Sequence, residues 1–229
     1  MTPRSMRSSL AVISLLAGVV VAPATAQQRV ANTLHNLSVS GPGEVHSLSE
    51  TEVCKFCHIP HDAVVPHPLW GHALSNAEYR VPDITSPSGG TRPAPQPNGA
   101  SRLCLSCHDG TVALGDVGGG RPIAMAGAQR LTPGRPGYIG TDLSGSHPIS
   151  FVVPDASGSS GPSDGRDMGL RPLSSITSDP DVRLDAQGRM QCTTCHDPHS
   201  DRYYEKGKVP HFWVKPTVQE VCITCHALR

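Results

Sequence analysis

The sequence predicts a chain of mostly irregular coil with a few short α-helices, in which the side chains alone cannot fill the interior. Three observations support this prediction. Of the 229 residues, 23 are glycine and 22 are proline, and both residue types interrupt helices and strands. Aromatic residues make up only 4% of the chain. The pattern C-x-x-C-H occurs four times and uses all eight cysteines. We therefore expect groups bound at these motifs to supply the missing core.

The four C-x-x-C-H motifs predict covalent haem c. Two cysteines one helical turn apart can reach the two vinyl groups of a haem, and the imidazole that follows then lies under the iron. Zinc sites would not need a histidine after each cysteine pair, and a disulfide framework would not favour four tight loops. The expected attachment residues are Cys54, Cys57, Cys104, Cys107, Cys192, Cys195, Cys222 and Cys225. The expected proximal iron ligands are His58, His108, His196 and His226.

Residues 1–26 have the features of a secretory signal peptide. Arg4 and Arg7 precede an apolar run at residues 10–21, and small residues form a cleavage site at 24–26. The run is short for a bilayer, so we expect no stable membrane span. Export to the periplasm or the extracellular space fits the motifs, because c-type haem is attached after export. The formal net charge is zero and no basic patch indicates nucleic acid.

The mature chain resembles a diverged repeat of two dihaem halves. Each half has a free histidine, then C-x-x-C-H-x-P-H, then a plain C-x-x-C-H. The predicted boundaries are 27–115 for the first half (haem sites 54–58 and 104–108), 116–139 for a glycine-rich linker and 140–229 for the second half (haem sites 192–196 and 222–226).

Four further histidines are expected to complete the iron coordination. His61 and His199 lie three residues after a proximal ligand, on the same side of its turn, so we expect them to ligate neighbouring haems. The repeat then selects His147 and, from His35 and His46, His35. Bis-histidine ligation lacks the potential-raising methionine and predicts low reduction potentials. The other histidines are expected to be surface or structural side chains: His46, His67, His72 and His211.

Several motifs together resemble those of a known family. They are His35-Asn-Leu-Ser38, C-x-F-C-H-x-P-H at 54–61, Pro68-Leu-Trp70, CLSCHDGTVALG at 104–115, GTDLSGSHPIS at 140–150, CTTCHDPH at 192–199 and the terminal CITCH. This set is similar to the secreted tetrahaem c-type cytochromes of the doubled C-x-x-C-H group, which include filament-forming extracellular cytochromes. The resemblance implies electron transfer through a close-packed chain of haems. In the filament formers a histidine of one subunit completes a haem of its neighbour, and we expect His35 in that role.

Three function classes remain open from the sequence. The first is an extracellular electron conduit, self-assembled into a homopolymer. The second is a soluble periplasmic carrier between redox partner proteins. The third is a multihaem reductase, which needs an open iron position; the histidines suffice to close all four, so we do not expect an enzyme. The partners are redox proteins or extracellular electron acceptors. Because the haems would form the core, we expect the unhaemed polypeptide to be poorly folded.

Overall fold

The computed structural model describes residues 30–66, 68–85, 90–118, 120, 122–155 and 169–227. The predicted signal peptide, His67 and part of the predicted linker lie outside these residues. Most of the described chain is turn and coil with a few short helices, which confirms the predicted fold class. No helix in the described ranges is long and apolar enough to cross a membrane.

The regular elements of the described chain are all short. The helices are α1 (Gly99–His108), α2 (Leu173–Thr177), α3 (Cys192–Cys195) and α4 (Val218–Cys225), with 3-10 turns at Val30–Asn32 and Val53–Phe56. Three antiparallel strand pairs join β1 (His46–Ser47) to β4 (Met125–Ala126), β2 (Asp83–Thr85) to β3 (Thr91–Pro93), and β5 (Gly169–Leu170) to β6 (His226–Ala227). In these pairs His46 lies opposite Ala126, Ile84 opposite Arg92 and Leu170 opposite His226.

Helices α1, α3 and α4 and the 3-10 turn at Val53–Phe56 carry the C-x-x-C-H motifs, because each cysteine pair occupies one turn. Helix α4 begins after Thr217, whose hydroxyl accepts a hydrogen bond from the backbone N–H of Glu220. It ends at the motif histidine, where His226 has an extended backbone with φ of −108°. Helix α1 ends at its motif histidine as well, two residues before Gly110, which has a φ of 76°. Each histidine therefore stands at the end of the turn that carries its cysteines.

Apolar packing in the described chain is divided among three small clusters. The largest contains Val153, Ile176, Val182, Met190, Val214, Val221 and Cys225. The other two are Phe56, Leu114 and Met125, and Tyr79, Leu105 and Leu143. Motif cysteines pack into two of them, since Cys195 contacts the largest and Cys107 contacts the Phe56 cluster. The side chains therefore collect around the cysteines, in line with the shortage of large apolar residues in the sequence.

Helix α1 packs on helix α3, so the second and third motifs are joined across the predicted halves. The first motif connects to the linker region through Phe56, which packs in one cluster with Met125. The motifs thus form one connected set, which is the framework for the site.

Candidate haem-binding sites

Three of the four motif histidines are held through one ring nitrogen. Their Nδ1 lies within hydrogen-bond distance of a backbone carbonyl oxygen, and an Nδ1–H donor leaves the Nε2 lone pair available to a metal. The distances are 2.8 Å from His58 to Pro68, 2.6 Å from His108 to Gly137 and 3.0 Å from His196 to His211. Two of the predicted distal ligands have the same arrangement: His35 to Pro198 at 3.3 Å and His147 to Pro148 at 2.8 Å. These five imidazoles are therefore oriented as iron ligands require.

Three motif histidines face a second histidine ring. The ring centroids are 5.9 Å apart for His35 and His108, 6.1 Å for His58 and His199, and 6.3 Å for His147 and His226. Metal–imidazole bonds are about 2 Å long, so two imidazoles on opposite sides of one ion have centroids about 6 Å apart. The spacing in all three pairs matches that value, and the residues fit an iron with two axial histidines.

Burial affects the His35 and His108 pair. Burial and the neighbouring His108 ring together lower the pKa of His35 to about 4. His35 is therefore neutral at physiological pH, which is the form that binds a metal.

Two buried hydrogen-bond donors beside one pair also fit a haem. Among the described residues, Trp70 Nε1 and Ser200 Oγ are buried and have no acceptor. Trp70 stands edge-on to His58, with centroids 5.9 Å apart, and Ser200 directly follows His199. A buried donor without an acceptor costs about 1–3 kcal/mol. Haem propionates carry carboxylate oxygens, so these two donors are the residues that would hold them.

His196 differs from the other motif histidines. The ring contact described for it is Trp213, edge-on at 5.0 Å and 80°, and not a histidine. Burial lowers its pKa, with a further lowering from His108. A cavity of about 350 Å³ adjoins His196 and is also lined by Arg183 and Arg202. The third motif therefore has space and cationic side chains beside it. His199 lines the same cavity, but no second imidazole of the described chain is in ring contact with His196.

His61 is exposed and forms no hydrogen bond or ring contact within the described part of the chain. Its counterpart His199 is oriented by Asp197, whose Oδ1 lies 3.5 Å from His199 Nδ1. Ile59 occupies the equivalent place before His61 and offers no such acceptor. His61 is thus the one predicted distal ligand that does not meet a motif histidine in the described residues.

His35, which is expected to complete a haem of a neighbouring subunit, has contacts within its own chain. It lies inside the chain, stacked on Phe212 at 4.1 Å and 14° and facing His108. The segment is fixed because the Asn36 side-chain amide donates to the carbonyl oxygen of Ala31 at 2.7 Å. In this chain His35 therefore faces the second motif, and the expectation that it completes a haem of a neighbouring subunit stays a prediction.

The remaining described histidines have other surroundings. His72 is fully buried, and both of its ring nitrogens face carbonyl oxygens, Ala73 at 2.9 Å and Ala113 at 3.0 Å. His211 pairs with the Asp201 carboxylate and stacks on Tyr204 at 3.5 Å. His46 Nδ1 lies 3.2 Å from Gly43 O, which leaves its Nε2 free in the same way as the candidate ligands. Sequence reasoning had no signal that separates His46 from His72; the difference is in the backbone around them.

Cysteine thiols of consecutive motifs lie next to each other in the structure. Burial and the neighbouring Cys57 raise the pKa of Cys107 to about 12. The neighbouring Cys104 thiol lowers the pKa of Cys192 to about 7. Burial and the neighbouring Cys225 raise the pKa of Cys195 to about 12. The attachment points of motifs one and two, two and three, and three and four are therefore adjacent in turn.

A structural repeat around the first and third motifs was missed by the sequence analysis. The carbonyl that accepts from the motif histidine lies two residues before a tryptophan in each case, at Pro68-Leu-Trp70 and His211-Phe-Trp213. The middle residues, Leu69 and Phe212, both have positive φ, 61° and 63°. The shared tryptophan was the available signal, but loops of different length separate it from the two motifs.

Comparison with protein families finds one match in the second half. The family model described as the doubled CXXCH motif matches residues 186–228, which contain the third and fourth motifs. Residues 186–228 form a c-type cytochrome-like haem-binding region. The C-x-x-C-H motifs indicate covalent haem c and electron transfer of the cytochrome c type, and such proteins are typically exported. A search of curated proteins finds no match to the chain.

Proposed function

We propose that the chain carries four covalent haem c groups with bis-histidine ligation and acts as an extracellular electron conduit built from copies of itself. The carrying observation is the difference between two repeated sites. The His199 ring faces His58 in the same chain, whereas the equivalent His61 is exposed and no imidazole of the described residues is in ring contact with the equivalent motif histidine, His196.

Self-assembly follows from this difference. If each site of the repeat uses the distal histidine of the other site, His199 completes the haem at His58 and His61 completes the haem at His196. The first exchange occurs within the chain at 6.1 Å. The second places an exposed donor and an incomplete acceptor on one molecule, which is a head-to-tail relation; such a relation gives a ring when the rotation between copies closes and an open filament when it does not. We propose the open form. Copies joined in this way form a filament.

The order of the motif thiols supports a relay. Cys57 neighbours Cys107, Cys104 contacts Cys192, and Cys195 neighbours Cys225. Haem iron supplies the redox chemistry when bound, and the protein fixes spacing, orientation and potential. Adjacent attachment points give a continuous series from the first motif to the fourth. Ligation by two histidines sets low potentials and leaves no iron position for a substrate, so we propose no enzymatic role.

The two arginines beside His196 fit the same assignment. Arg183 and Arg202 line the cavity next to the third motif, and they are the cations available to the carboxylates of a haem there. Arg202 is engaged with Asp181 at 3.3 Å, so its charge is partly compensated before any ligand binds.

The test compares haem spin state with assembly. The secreted holoprotein is examined by electron microscopy and by electronic absorption at several concentrations. We expect filaments, with one high-spin haem appearing as they dissociate on dilution. The His61→Ala variant alone is expected to form no filaments. When it is added as the minor component to the unaltered protein, it is expected to shorten the filaments. His46→Ala is the matched control, since it removes another histidine with a free Nε2, and filaments are expected to persist.

The alternative is a soluble periplasmic carrier in which His61 reaches His196 of its own chain. Discrete particles with four low-spin haems at every dilution would establish that alternative and refute the conduit. In that case His61→Ala would give one high-spin haem without any change in particle size.

A further inference from the structure

We infer that Gln191 is a positioning residue that clamps helix α1 of the second motif to helix α3 of the third and so sets the spacing of the haems attached there. This inference rests on the proposed function. It assigns the fixed spacing to one side chain, which immediately precedes Cys192 and is not a haem ligand.

The Gln191 side chain is fully engaged between the two helices. It is 1% exposed. Its carbonyl oxygen accepts from Ser101 twice, from the backbone N–H at 3.1 Å and from Oγ at 2.6 Å. Its amide nitrogen donates to Asn98 Oδ1 at 3.1 Å and to Asp185 Oδ2 at 2.9 Å. A buried amide with each group satisfied holds its partners in one geometry.

Gln191 replaces the missing cap of helix α1. The residue before the helix, Asn98, makes no capping hydrogen bond with its side chain. The backbone N–H of Ser101 is one of the first-turn donors that a cap normally satisfies, and the Gln191 oxygen takes that place from another part of the chain. The start of the second motif's helix is therefore fixed by the third motif.

Ser101 forms a second link from helix α1 to helix α3. The backbone N–H of Cys192 donates to Ser101 Oγ at 3.0 Å, and that hydroxyl donates to Gln191. Gly99 fits beneath the amide, because a Cβ there would lie 2.9 Å from Gln191 Nε2 and because its φ of 49° favours glycine. The hydrogen bonds among Ser101, Gln191 and Cys192 thus fix the distance between the two helices.

The clamp lies directly at the attachment points. Cys192 follows Gln191, and its thiol neighbours that of Cys104, which lies one turn along helix α1 from Ser101. A displacement of α1 against α3 therefore separates the two thioether positions. For this reason the clamp acts on haem spacing and not on helix stability alone.

The test uses the holoprotein and two variants with a matched control. Gln191→Leu keeps the size of the side chain and removes every bond, and Ser101→Ala removes only the hydroxyl. Gln96→Leu is the control, because it makes the same substitution at a glutamine that bonds the backbone of Tyr79. The readouts are the electron paramagnetic resonance of the ferric protein, which reports magnetic coupling between neighbouring haems, and hydrogen exchange of the Ser101 amide.

We expect Gln191→Leu to keep four haems, to lose the coupling between the second and third haems, and to speed exchange at Ser101 about tenfold. Ser101→Ala should change the coupling in the same direction by less, and Gln96→Leu should leave it unchanged. If Gln191→Leu is not recovered with haem, Ser101→Ala decides the matter. Unaltered coupling in the recovered variants, even with faster exchange, would overturn the inference. Absence of coupling between all haems of the unaltered protein would instead refute the relay itself.

Discussion

The first and third motifs hold their histidines in the same way, but only one of the two histidines faces a second imidazole. In both, the motif histidine donates to a carbonyl two residues before a tryptophan, stands edge-on to that tryptophan, and forms an isolated β-bridge with it: His58 with Trp70 and His196 with Trp213. Only His58 then faces a second imidazole in the described chain, that of His199. A repeat can therefore conserve the binding frame while one copy depends on another molecule for its last ligand.

The largest expected effect is a difference in haem spin state between variants of His199 and His61. His199→Ala removes the partner that lies 6.1 Å from His58, so one haem should become high spin at every protein concentration. His61→Ala should give one high-spin haem that does not change on dilution, and should differ from the unaltered protein only at concentrations at which that protein assembles, because the histidine that it lacks would serve another copy. Absorption spectra recorded over a dilution series distinguish the two. Identical concentration dependence in both variants would remove the distinction between the sites.

The second prediction uses the shared positive φ of the residues before the tryptophans. Phe212 is 8% exposed and stacks on His35, so Phe212→Gly should destabilise the protein by about 3 kcal/mol despite relieving its backbone. Leu69 is 46% exposed, so Leu69→Gly should gain up to about 1 kcal/mol from the same relief. Denaturant unfolding followed by circular dichroism measures both. A loss of stability for Leu69→Gly would show that the backbone conformation is not strained.

The third prediction compares the two tryptophans of the repeat. Trp213 Nε1 donates to Thr217 O at 3.0 Å, so Trp213→Phe should cost about 1 kcal/mol of stability. Trp70 Nε1 has no protein acceptor in the described chain. Trp70→Phe should instead lower the reduction potential of one haem, because a propionate that loses a donor keeps more negative charge near the iron. Spectroelectrochemical titration checks this, and an unchanged set of potentials would exclude Trp70 as a propionate donor.

Local chemistry carried most of what the sequence could predict. The coil-rich fold followed from glycine and proline, and the cysteine turns followed from motif spacing. The repeat around Trp70 and Trp213 did not, because loops of different length precede each tryptophan and positive φ at Leu69 and Phe212 has no residue signature. The clamp at Gln191 was equally invisible, since its partner Ser101 lies 90 residues away. Contacts of that range depend on packing, which periodicity does not encode.

The smallest expected effect is on the pH dependence of stability. It comes from the second residue after each tryptophan, because that residue differs between the two sites. In the first half it is His72, whose pKa is lowered by burial. The unfolded chain binds a proton here more readily than the folded one, so stability should fall as pH drops below about 6.5. In the second half it is Lys215, paired with Asp179 at 2.9 Å. Burial alone would raise the pKa of Asp179, but hydrogen bonds from Val182 and Lys215 hold it below 3.8.

The Asp179–Lys215 pair should therefore keep its contribution until pH falls below the ordinary carboxyl range, since a lowered acid pKa contributes stability that is lost only as the carboxylate protonates. In the holoprotein His196, the buried histidine of this half, would be bound to iron and would not take up a proton. Hydrogen exchange at pH 7 and pH 5 should show loss of protection at Ala73, whose amide bonds Asp116 O at 2.9 Å, before loss at Val214, whose amide bonds Cys195 O at 3.1 Å. In His72→Gln, which cannot be protonated, the two amides should lose protection together. The reverse order in the unaltered protein would mean that His72 does not control acid stability in the first half.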